Sequence, residues 1–268
     1  MPVNDELGTR MKEFYENRSK TYLVRRMPVV IRIDGRAFHT FTKHMKRPFD
    51  NILIGAMQDT MSYLCRNIDG CVFGYTQSDE ITLVLVDYAR LESDAWFDYS
   101  VQKLCSIAAS MATLEFNRSF AQRAQMYIEE IHEYPELYDE VDMAYARSLE
   151  CAILRGAMFD ARCFNIPVEE VTNLVYWRQL DAMRNSIQMV AQANFSHREL
   201  QGLNTAELQD KLVLEKGINW NNLPTYQKRG SCYVRDENGK WFLDNEIPIF
   251  RGDGREYVER LVRINENG

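Results

Sequence analysis

The chain has 268 residues, of which 46% are hydrophobic and 26% are charged, and its formal net charge is −7. This length and apolar content suffice to bury a core, in one large domain or two small ones, and they exclude a disordered chain. The acidic balance excludes a protein that coats nucleic acid non-specifically, because such binding needs a dense field of lysine and arginine. It leaves open a protein that recognises a particular RNA.

Signals for membranes, secretion and zinc are missing from the sequence. The opening segment MPVNDELGTR is polar, and no apolar run approaches the roughly 20 residues of a spanning helix. We therefore expect no membrane partner and a cytoplasmic location. The six cysteines form no CxxC pair, which favours reduced thiols and leaves too few suitably spaced ligands for zinc. Any metal should be bound by oxygen.

The first predicted elements are a strand and a helix. Residues 29–33 (VVIRI) are rich in β-branched side chains and end at Asp34-Gly35, which predicts a buried strand closed by a tight turn. Apolar residues then recur at spacings of three and four over 49–68, with Asp50 near the start of this predicted amphipathic helix.

A hairpin and a second helix come next. The runs 71–77 and 81–86 are strand-like and are joined by Ser78-Asp79-Glu80, a break short enough for a hairpin. A helical pattern covers 95–116, whereas the polar and aromatic stretch 119–148 supports no firm prediction.

The later elements complete an α+β fold. A strand around 162–166 and a long helix over 168–193 give the order βαββαβ, which is typical of an antiparallel sheet covered by helices. A helix over 205–215 and a hairpin within 231–243 are predicted to form a C-terminal extension.

Three carboxylates belong to neighbouring places in this predicted sheet. Asp34 ends the first strand, and Asp79 and Glu80 lie at the turn of the adjacent hairpin. Carboxylates gathered at one sheet edge repel one another unless a cation or a proton intervenes, and hard oxygen ligands suit Mg²⁺. The arrangement predicts a two-metal centre for phosphoryl transfer. Each motif taken alone also fits an ordinary turn or hairpin tip.

Substrate groups are predicted around the same turn. The segment GRAFH after Asp34 supplies a glycine for close backbone approach and amides that can face phosphate oxygens. Lys103 and Arg162 lie near the carboxylate-bearing strands in this topology and are candidates for contacts with a triphosphate.

Six separated motifs, taken together, resemble the tRNA-His guanylyltransferase family, and in particular its Thg1-like branch of reverse, 3′–5′ polymerases. The resemblance extends over roughly residues 20–230. The motifs are RIDGRAFHTF (32–41), RPFD (47–50), GYTQSDE (74–80), FDAR (159–162), YWRQLD (176–181) and INWNNLPTYQKRG (218–230).

The resemblance implies a fold like the palm of ordinary polymerases, with two Mg²⁺ ions at the catalytic centre. Asp34, Asp79 and the carbonyl of Gly35 would hold the metal, and Glu80 would be the adjacent catalytic acid. It further implies ATP, GTP and other NTPs as substrates, a tRNA or tRNA-like RNA as partner, and a homotetramer. The nucleotide-binding residues that it implies are Arg36, Ala37, Phe38, His39, Arg47, Lys103 and Arg162, with Ser78 and Asp50 of second rank.

One departure from the family pattern favours the Thg1-like branch. Eukaryotic members carry a His-Ile-Asn-Asn-like motif after the WRQ-x-D segment, where this chain has Met183 in place of the histidine and Ser186 in place of the second asparagine. This favours template-directed repair of a truncated tRNA 5′ end over untemplated addition of G to tRNA-His. The residues expected to handle RNA are Asn185, Asn219, Asn222 and Lys228.

We expect a single domain over 1–268, with a palm-like core at about 25–165 and an RNA-handling part at about 166–268. Three other functions stay open. They are addition of an extra G to tRNA-His, another palm-type enzyme such as a nucleotide cyclase, and a non-catalytic RNA-binding module. A cyclase has no reason to carry the RNA-end segment 176–230. A non-catalytic binding module would require that the segments with the carboxylates serve only as turns.

Overall fold

A computed structural model describes residues 6–90 and 92–263 of the chain. Within these residues, six strands form an antiparallel sheet. The strands are β1 (Val29–Gly35), β2 (Cys71–Gln77), β3 (Glu80–Leu85), β4 (Phe159–Asn165), β5 (Ser231–Arg235) and β6 (Trp241–Asp244). Their order across the sheet is β4-β1-β3-β2-β5-β6.

Helices cover both faces of this sheet. They are α1 (Glu6–Phe14), α2 (Phe38–Phe41), α3 (Asn51–Asn67), α4 (Val101–Glu133), α5 (Glu140–Arg155), α6 (Val168–Asn194), α7 (His197–Leu200), α8 (Thr205–Lys216), α9 (Thr225–Arg229) and α10 (Glu256–Val262). None of the described helices is long and apolar enough to cross a membrane.

The mostly apolar sequence of β1, interrupted by Arg32, reflects a strand that is covered on both sides. Ile31 and Ile33 face a core that contains side chains of α3, α4 and α5. On the opposite face, Val84 of β3 belongs to a second core that includes side chains of α6, β5 and α10. The C-terminal hairpin β5–β6 pairs with β2 and so continues the central sheet. The predicted C-terminal hairpin is confirmed, and it extends the sheet beyond β2.

The predicted order βαββαβ is confirmed, and two helix boundaries are corrected. The helix expected from residue 95 begins at Val101, because Phe97, Asp98 and Tyr99 before it adopt positive φ values of 52°, 51° and 56°. Such left-handed backbone cannot continue a right-handed helix. The stretch without a firm prediction, 119–148, contains the second half of α4 and the first half of α5.

The cysteines are free thiols, as predicted. Two of them nevertheless lie close together, with 3.6 Å between the Sγ atoms of Cys105 on α4 and Cys163 on β4. Burial raises the pKa of the Cys163 thiol to about 12. The Cys163 thiol therefore stays protonated at neutral pH and acts as a small apolar group between helix and sheet.

Candidate active site

The two predicted acidic turns meet at one edge of the sheet. Asp34 of β1 lies directly opposite Glu80 of β3, and the backbone N–H of Gly35 donates to the carbonyl of Asp79 over 3.1 Å. Antiparallel pairing therefore fixes the end of β1 against the β2–β3 turn. The prediction that these places are adjacent is confirmed.

A glycine is required where β1 turns into α2. A Cβ atom added at Gly35 would lie 2.3 Å from the ring of Phe38. That ring is buried and packs against Phe41, Phe116 and Phe159, with ring centres 5.2–5.6 Å away. Phe38 therefore anchors the turn to the hydrophobic core. Its ring cannot also serve as a platform for a nucleobase.

A pocket of about 600 Å³ opens beside these turns. Its size falls within the range of sites for small molecules and cofactors. Eight of the residues predicted for the site line it together, which are Gly35, Ala37, Phe38, His39, Arg47, Asp50, Ser78 and Asp79. Lys43, Lys46, Met189 and Gln192 also line it and were not predicted from the sequence.

Asp79, at this edge of the sheet, has a raised pKa. Burial raises the pKa of its carboxyl group, and the negative charges of Asp34 and Glu80 raise it further, whereas a hydrogen bond of 3.0 Å from Ser78 Oγ lowers it. A partly buried carboxylate with acidic neighbours gains most from a bound cation, which removes the repulsion.

Glu80, predicted to be the adjacent catalytic acid, has its carboxylate paired within the protein. Its Oε1 accepts a hydrogen bond of 2.7 Å from Nε of Arg178 on α6, and both side chains are 9% exposed. Over the described ranges 6–90 and 92–263, no group of three or more His, Cys, Asp or Glu side chains is arranged to hold a metal. The donors left at the turn are Asp34, Asp79 and backbone carbonyls.

Asp50 lines the pocket, but its carboxylate is already occupied by the protein. One oxygen accepts from the backbone N–H groups of Ile52 and Leu53 at the start of α3. The other accepts from the N–H of Lys46 and, over 2.6 Å, from the hydroxyl of Tyr145. Asp50 is therefore an N-cap that fixes the pocket wall, and its predicted role in nucleotide contact is indirect in this arrangement.

Three cations expected to contact the nucleotide, Arg36 and the triphosphate candidates Lys103 and Arg162, lie outside the lining of this pocket. Nη1 of Arg36 lies 3.8 Å from Sδ of Met158, and the ammonium of Lys103 lies 5.3 Å from the centre of the Phe97 ring. Arg162 donates to the carboxylate of Asp160 over 3.2 Å. Their exposed side chains are long enough to move. The pocket itself is lined by the cations Lys43, Lys46 and Arg47.

Two of the four residues expected to handle RNA border the same region. Asn185 and Lys228 line a smaller pocket of about 90 Å³, together with Ser78 and Asp50. Lys228 donates to the carbonyl of Asn221 over 2.5 Å.

The segment around Trp220 is fixed to α6. Asn219 accepts from the N–H of Asn221, and Asn222 lies in the same short 3₁₀ turn. Trp220 Nε1 donates to Oγ of Ser186 over 2.9 Å, and Ser186 is buried. The serine that replaces the family's asparagine therefore has a structural partner within the protein.

A protein-family model described as Thg1, tRNAHis guanylyltransferase, matches residues 8–167, which is more than half of the chain. This chain belongs to the tRNAHis guanylyltransferase family. It is 26% identical over 257 residues to a probable tRNA(His) guanylyltransferase of Dictyostelium discoideum, a match that covers 91% of this chain and 88% of that protein.

Solved structures agree with this membership. The chain is similar to a bacterial tRNA(His) guanylyltransferase (Thg1)-like protein in complex with ATP, with 42% identity, a TM-score of 0.79, and coverage of 97% of this chain and 100% of that one. A second such structure, in complex with GTP, has 40% identity and a TM-score of 0.74 at the same coverage. The α+β fold and the identification as a nucleotidyltransferase are thus confirmed.

Several residues of this guanylyltransferase-family site escaped sequence reasoning. Arg178 lies within the WRQLD motif, yet nothing in the motif shows that it reaches Glu80 across the sheet. Met189 and Gln192 are three residues apart on α6, which places them on one helix face, but only the crossing of α6 over the turn brings that face to the pocket.

Proposed function

We propose that this enzyme adds nucleotides to the 5′ end of a truncated tRNA, in the 3′–5′ direction, and selects each one by pairing with the opposite strand. The observation that carries the proposal is the contact between the Asp34-Gly35 turn and the Ser78-Asp79 turn at the mouth of a nucleotide-sized pocket. The solved structures of bacterial relatives in complex with ATP and with GTP support the same chemistry, because both nucleotides are substrates of this reaction.

Thg1-family nucleotidyltransferases use divalent metal ions, and the donors at this edge fit Mg²⁺. Asp34 and Asp79 supply carboxylate oxygens, and Gly35 supplies a backbone carbonyl. The pKa of Asp79 is raised by burial and by its acidic neighbours, so a bound cation would stabilise its charged form. Mg²⁺ in enzymes of this class is bound by one or two carboxylates and completes its shell with water and substrate phosphates. We propose that Asp34, Asp79 and the Gly35 carbonyl would hold two ions here, which would lower the pKa of the attacking hydroxyl and neutralise charge on the leaving group.

The reaction would proceed in two displacements at phosphorus. A 5′-monophosphate oxygen of the RNA first attacks the α-phosphorus of ATP, which expels pyrophosphate and leaves an activated 5′ end. The 3′-hydroxyl of an incoming NTP then attacks the 5′ phosphorus, loses its proton and expels AMP. If the RNA already carries a 5′-triphosphate, the second displacement expels pyrophosphate directly.

The protein's own groups would position these reactants. The turn from Gly35 to His39 presents backbone amides to phosphate oxygens, and Arg47 supplies positive charge at the pocket wall. Lys103 and Arg162 would reach the triphosphate by rotation of their exposed side chains. Glu80 would act by holding the hairpin against α6 through Arg178.

The surroundings of Ser186 support selection by pairing. Its hydroxyl is buried and bonded to Trp220, and the neighbouring Met183 packs into an apolar cluster of α6 and α8. The Ser186 oxygen is thus already engaged as an acceptor, and Met183 offers no strong hydrogen-bonding group for reading an incoming base. Discrimination without a template would need such protein hydrogen bonds.

The test varies the base opposite the missing first nucleotide through all four identities and measures which nucleotide is added. We expect addition to follow Watson–Crick pairing and to outrun addition of G opposite an unpairable A. Addition of G whatever the opposite base would instead establish the tRNA-His activity, and no addition in Mg²⁺ with ATP and NTPs would contradict both.

We also propose a homotetramer in the cytoplasm. The apolar side chains of Leu7, Met11 and Phe14 on α1 are 60%, 41% and 54% exposed, which supports an assembly that covers them. Light scattering after gel filtration tests the oligomeric state, and cell fractionation tests the location.

A further inference from the structure

A second pocket lies beside the proposed nucleotide site, and the proposed function does not use it. It has a volume of about 620 Å³ and lies between the end of α6, α7 and the start of α8. We call it the glutamine pocket, because Gln188, Gln192 and Gln201 line it together with Arg47, Phe195 and His197. Leucine side chains of α7 and α8 complete its apolar wall.

The two pockets share a wall. Arg47 and Gln192 line both of them, so a ligand in the glutamine pocket would lie next to whatever occupies the nucleotide pocket. The exposed side chains of Gln188, His197 and Gln201 line only the glutamine pocket. These three residues can therefore report on this pocket alone.

The lining suits a ligand with a flat base and a negative charge. Each glutamine amide offers one acceptor and two donors, the pattern that pairs with the edge of a nucleobase, and the exposed ring of His197 offers a face for stacking. Phe195 is buried in the pocket wall. None of the described residues that line the pocket is acidic, although the chain as a whole carries a charge of −7.

Positive charge surrounds the pocket floor. The ammonium groups of Lys211 and Lys216 lie 4.7 and 5.2 Å from the centre of the Phe195 ring. Glu199, the acidic residue of α7, has its carboxylate bound to the backbone N–H and hydroxyl of Ser196, at 2.8 and 2.5 Å, as part of a capping box. Lys211 also pairs with Glu215 over 2.6 Å, so the positive charge that a phosphodiester would meet there comes mainly from Lys216 and Arg47.

We propose that the glutamine pocket binds an unpaired nucleotide of the RNA 3′ strand while the 5′ end reacts in the nucleotide pocket. This inference rests on the proposed function, since it takes a tRNA end as the substrate. In a tRNA the strand opposite the 5′ end continues as unpaired 3′ nucleotides, which therefore lie about one helix width from the reacting phosphate. Unpaired nucleotides are the part of an RNA that a protein can stack and read.

The experiment compares two fluorescently labelled tRNA transcripts that lack the first 5′ nucleotide, one with its unpaired 3′ nucleotides and one without them. Binding is measured by anisotropy for the wild type, for Gln188→Ala, for His197→Ala, and for Gln122→Ala as a matched control on the exposed surface of α4. ATP binding is measured in parallel by calorimetry, together with the melting temperature of each variant.

We expect Gln188→Ala and His197→Ala each to weaken binding of the full transcript by about threefold to tenfold, the value of one or two hydrogen bonds or a stacking contact. Binding of the trimmed transcript, ATP binding and melting temperature should stay at the wild-type values, as should every measurement on Gln122→Ala. Equal weakening with both transcripts, or none with either, would overturn the inference. So would a lower ATP stoichiometry in the variants, which would mean that the pocket holds a free nucleotide.

These outcomes are separate from failure of the proposed function. A wild type that prefers the untrimmed transcript but adds no nucleotide would contradict the reaction and leave the 3′-strand site supported. A wild type that adds nucleotides equally well to both transcripts, with equal affinity, would contradict the 3′-strand site alone.

Discussion

Glu80 and Arg178 form a buried ion pair, 2.7 Å from Oε1 to Nε, which joins the acidic hairpin to helix α6. Arg178 is further held by Asp181, one turn later on the same helix, over 3.0 Å. The pair connects the β2–β3 hairpin of the candidate site to the helix that also supplies Met189 and Gln192 to the pocket. It therefore couples the position of Asp79 to the position of α6.

Arg178→Ala should destabilise the protein by about 3 to 5 kcal/mol, because it leaves the buried carboxylate of Glu80 without a partner. Arg184→Ala is the matched control, since Arg184 also pairs with Asp181 but is exposed, and its loss should cost less than about 1 kcal/mol. Urea unfolding of both variants measures the difference. Similar costs for the two would show that the Glu80 pair contributes nothing beyond a surface contact.

Asp79→Asn should lower nucleotide addition by about 100-fold or more, because it removes a proposed metal ligand. Without metal it should raise stability at neutral pH. Burial and the charges of Asp34 and Glu80 raise the pKa of Asp79 in the folded state, so ionisation of its carboxyl group favours unfolding as the pH rises above about 4.

The gain in unfolding free energy should therefore be largest near pH 7 and should shrink as the pH falls through the pKa of Asp79. Urea unfolding in EDTA at several pH values measures it, with Asp69→Asn in the exposed turn before β2 as the control. A gain that is the same at every pH would show that charge repulsion is not its cause.

Tyr145→Phe should cost about 1.5 to 3 kcal/mol, the value of a buried hydrogen bond to a charged group. The Tyr145 hydroxyl donates to Asp50 over 2.6 Å, and the nearby carboxylate raises the pKa of this tyrosine, whose burial raises it most. Tyr134→Phe, which removes a bond from an exposed hydroxyl to Glu133, should cost much less. The apparent affinity for ATP should also fall in Tyr145→Phe only, because Asp50 fixes the pocket wall.

Arg47→Ala should weaken the use of NTPs by about tenfold, since it loses a charged phosphate contact of about 1.5 kcal/mol or more. Lys103→Ala and Arg162→Ala test whether the exposed cations outside the pocket reach the triphosphate. Rates with 5′-monophosphate and 5′-triphosphate RNA separate a role in activation from a role in nucleotide addition. Unchanged kinetics with both RNAs would exclude the substituted residue from the site. Lys240→Ala, at the tip of the β5–β6 turn, is the control and should leave the kinetics unchanged.

The sequence by itself determined the order of elements and the turns that carry the chemistry. β-Branched runs and apolar spacing predict β1, α3 and the β2–β3 hairpin closely, since local patterns decide which face of each element is buried. Because an antiparallel sheet brings the end of β1 to the β2–β3 turn, the adjacency of Asp34 and Asp79 followed from topology alone.

Only the tertiary structure decided what each side chain does at that edge. Phe38 became a core anchor, Asp50 a cap bonded to Tyr145, and Glu80 the partner of Arg178 across 98 residues of chain. The glutamine pocket likewise exists only because α6, α7 and α8 converge beside Arg47. Contacts between residues so far apart in sequence leave no local periodicity, so they are fixed by how helices pack on the sheet rather than by any pattern within one element.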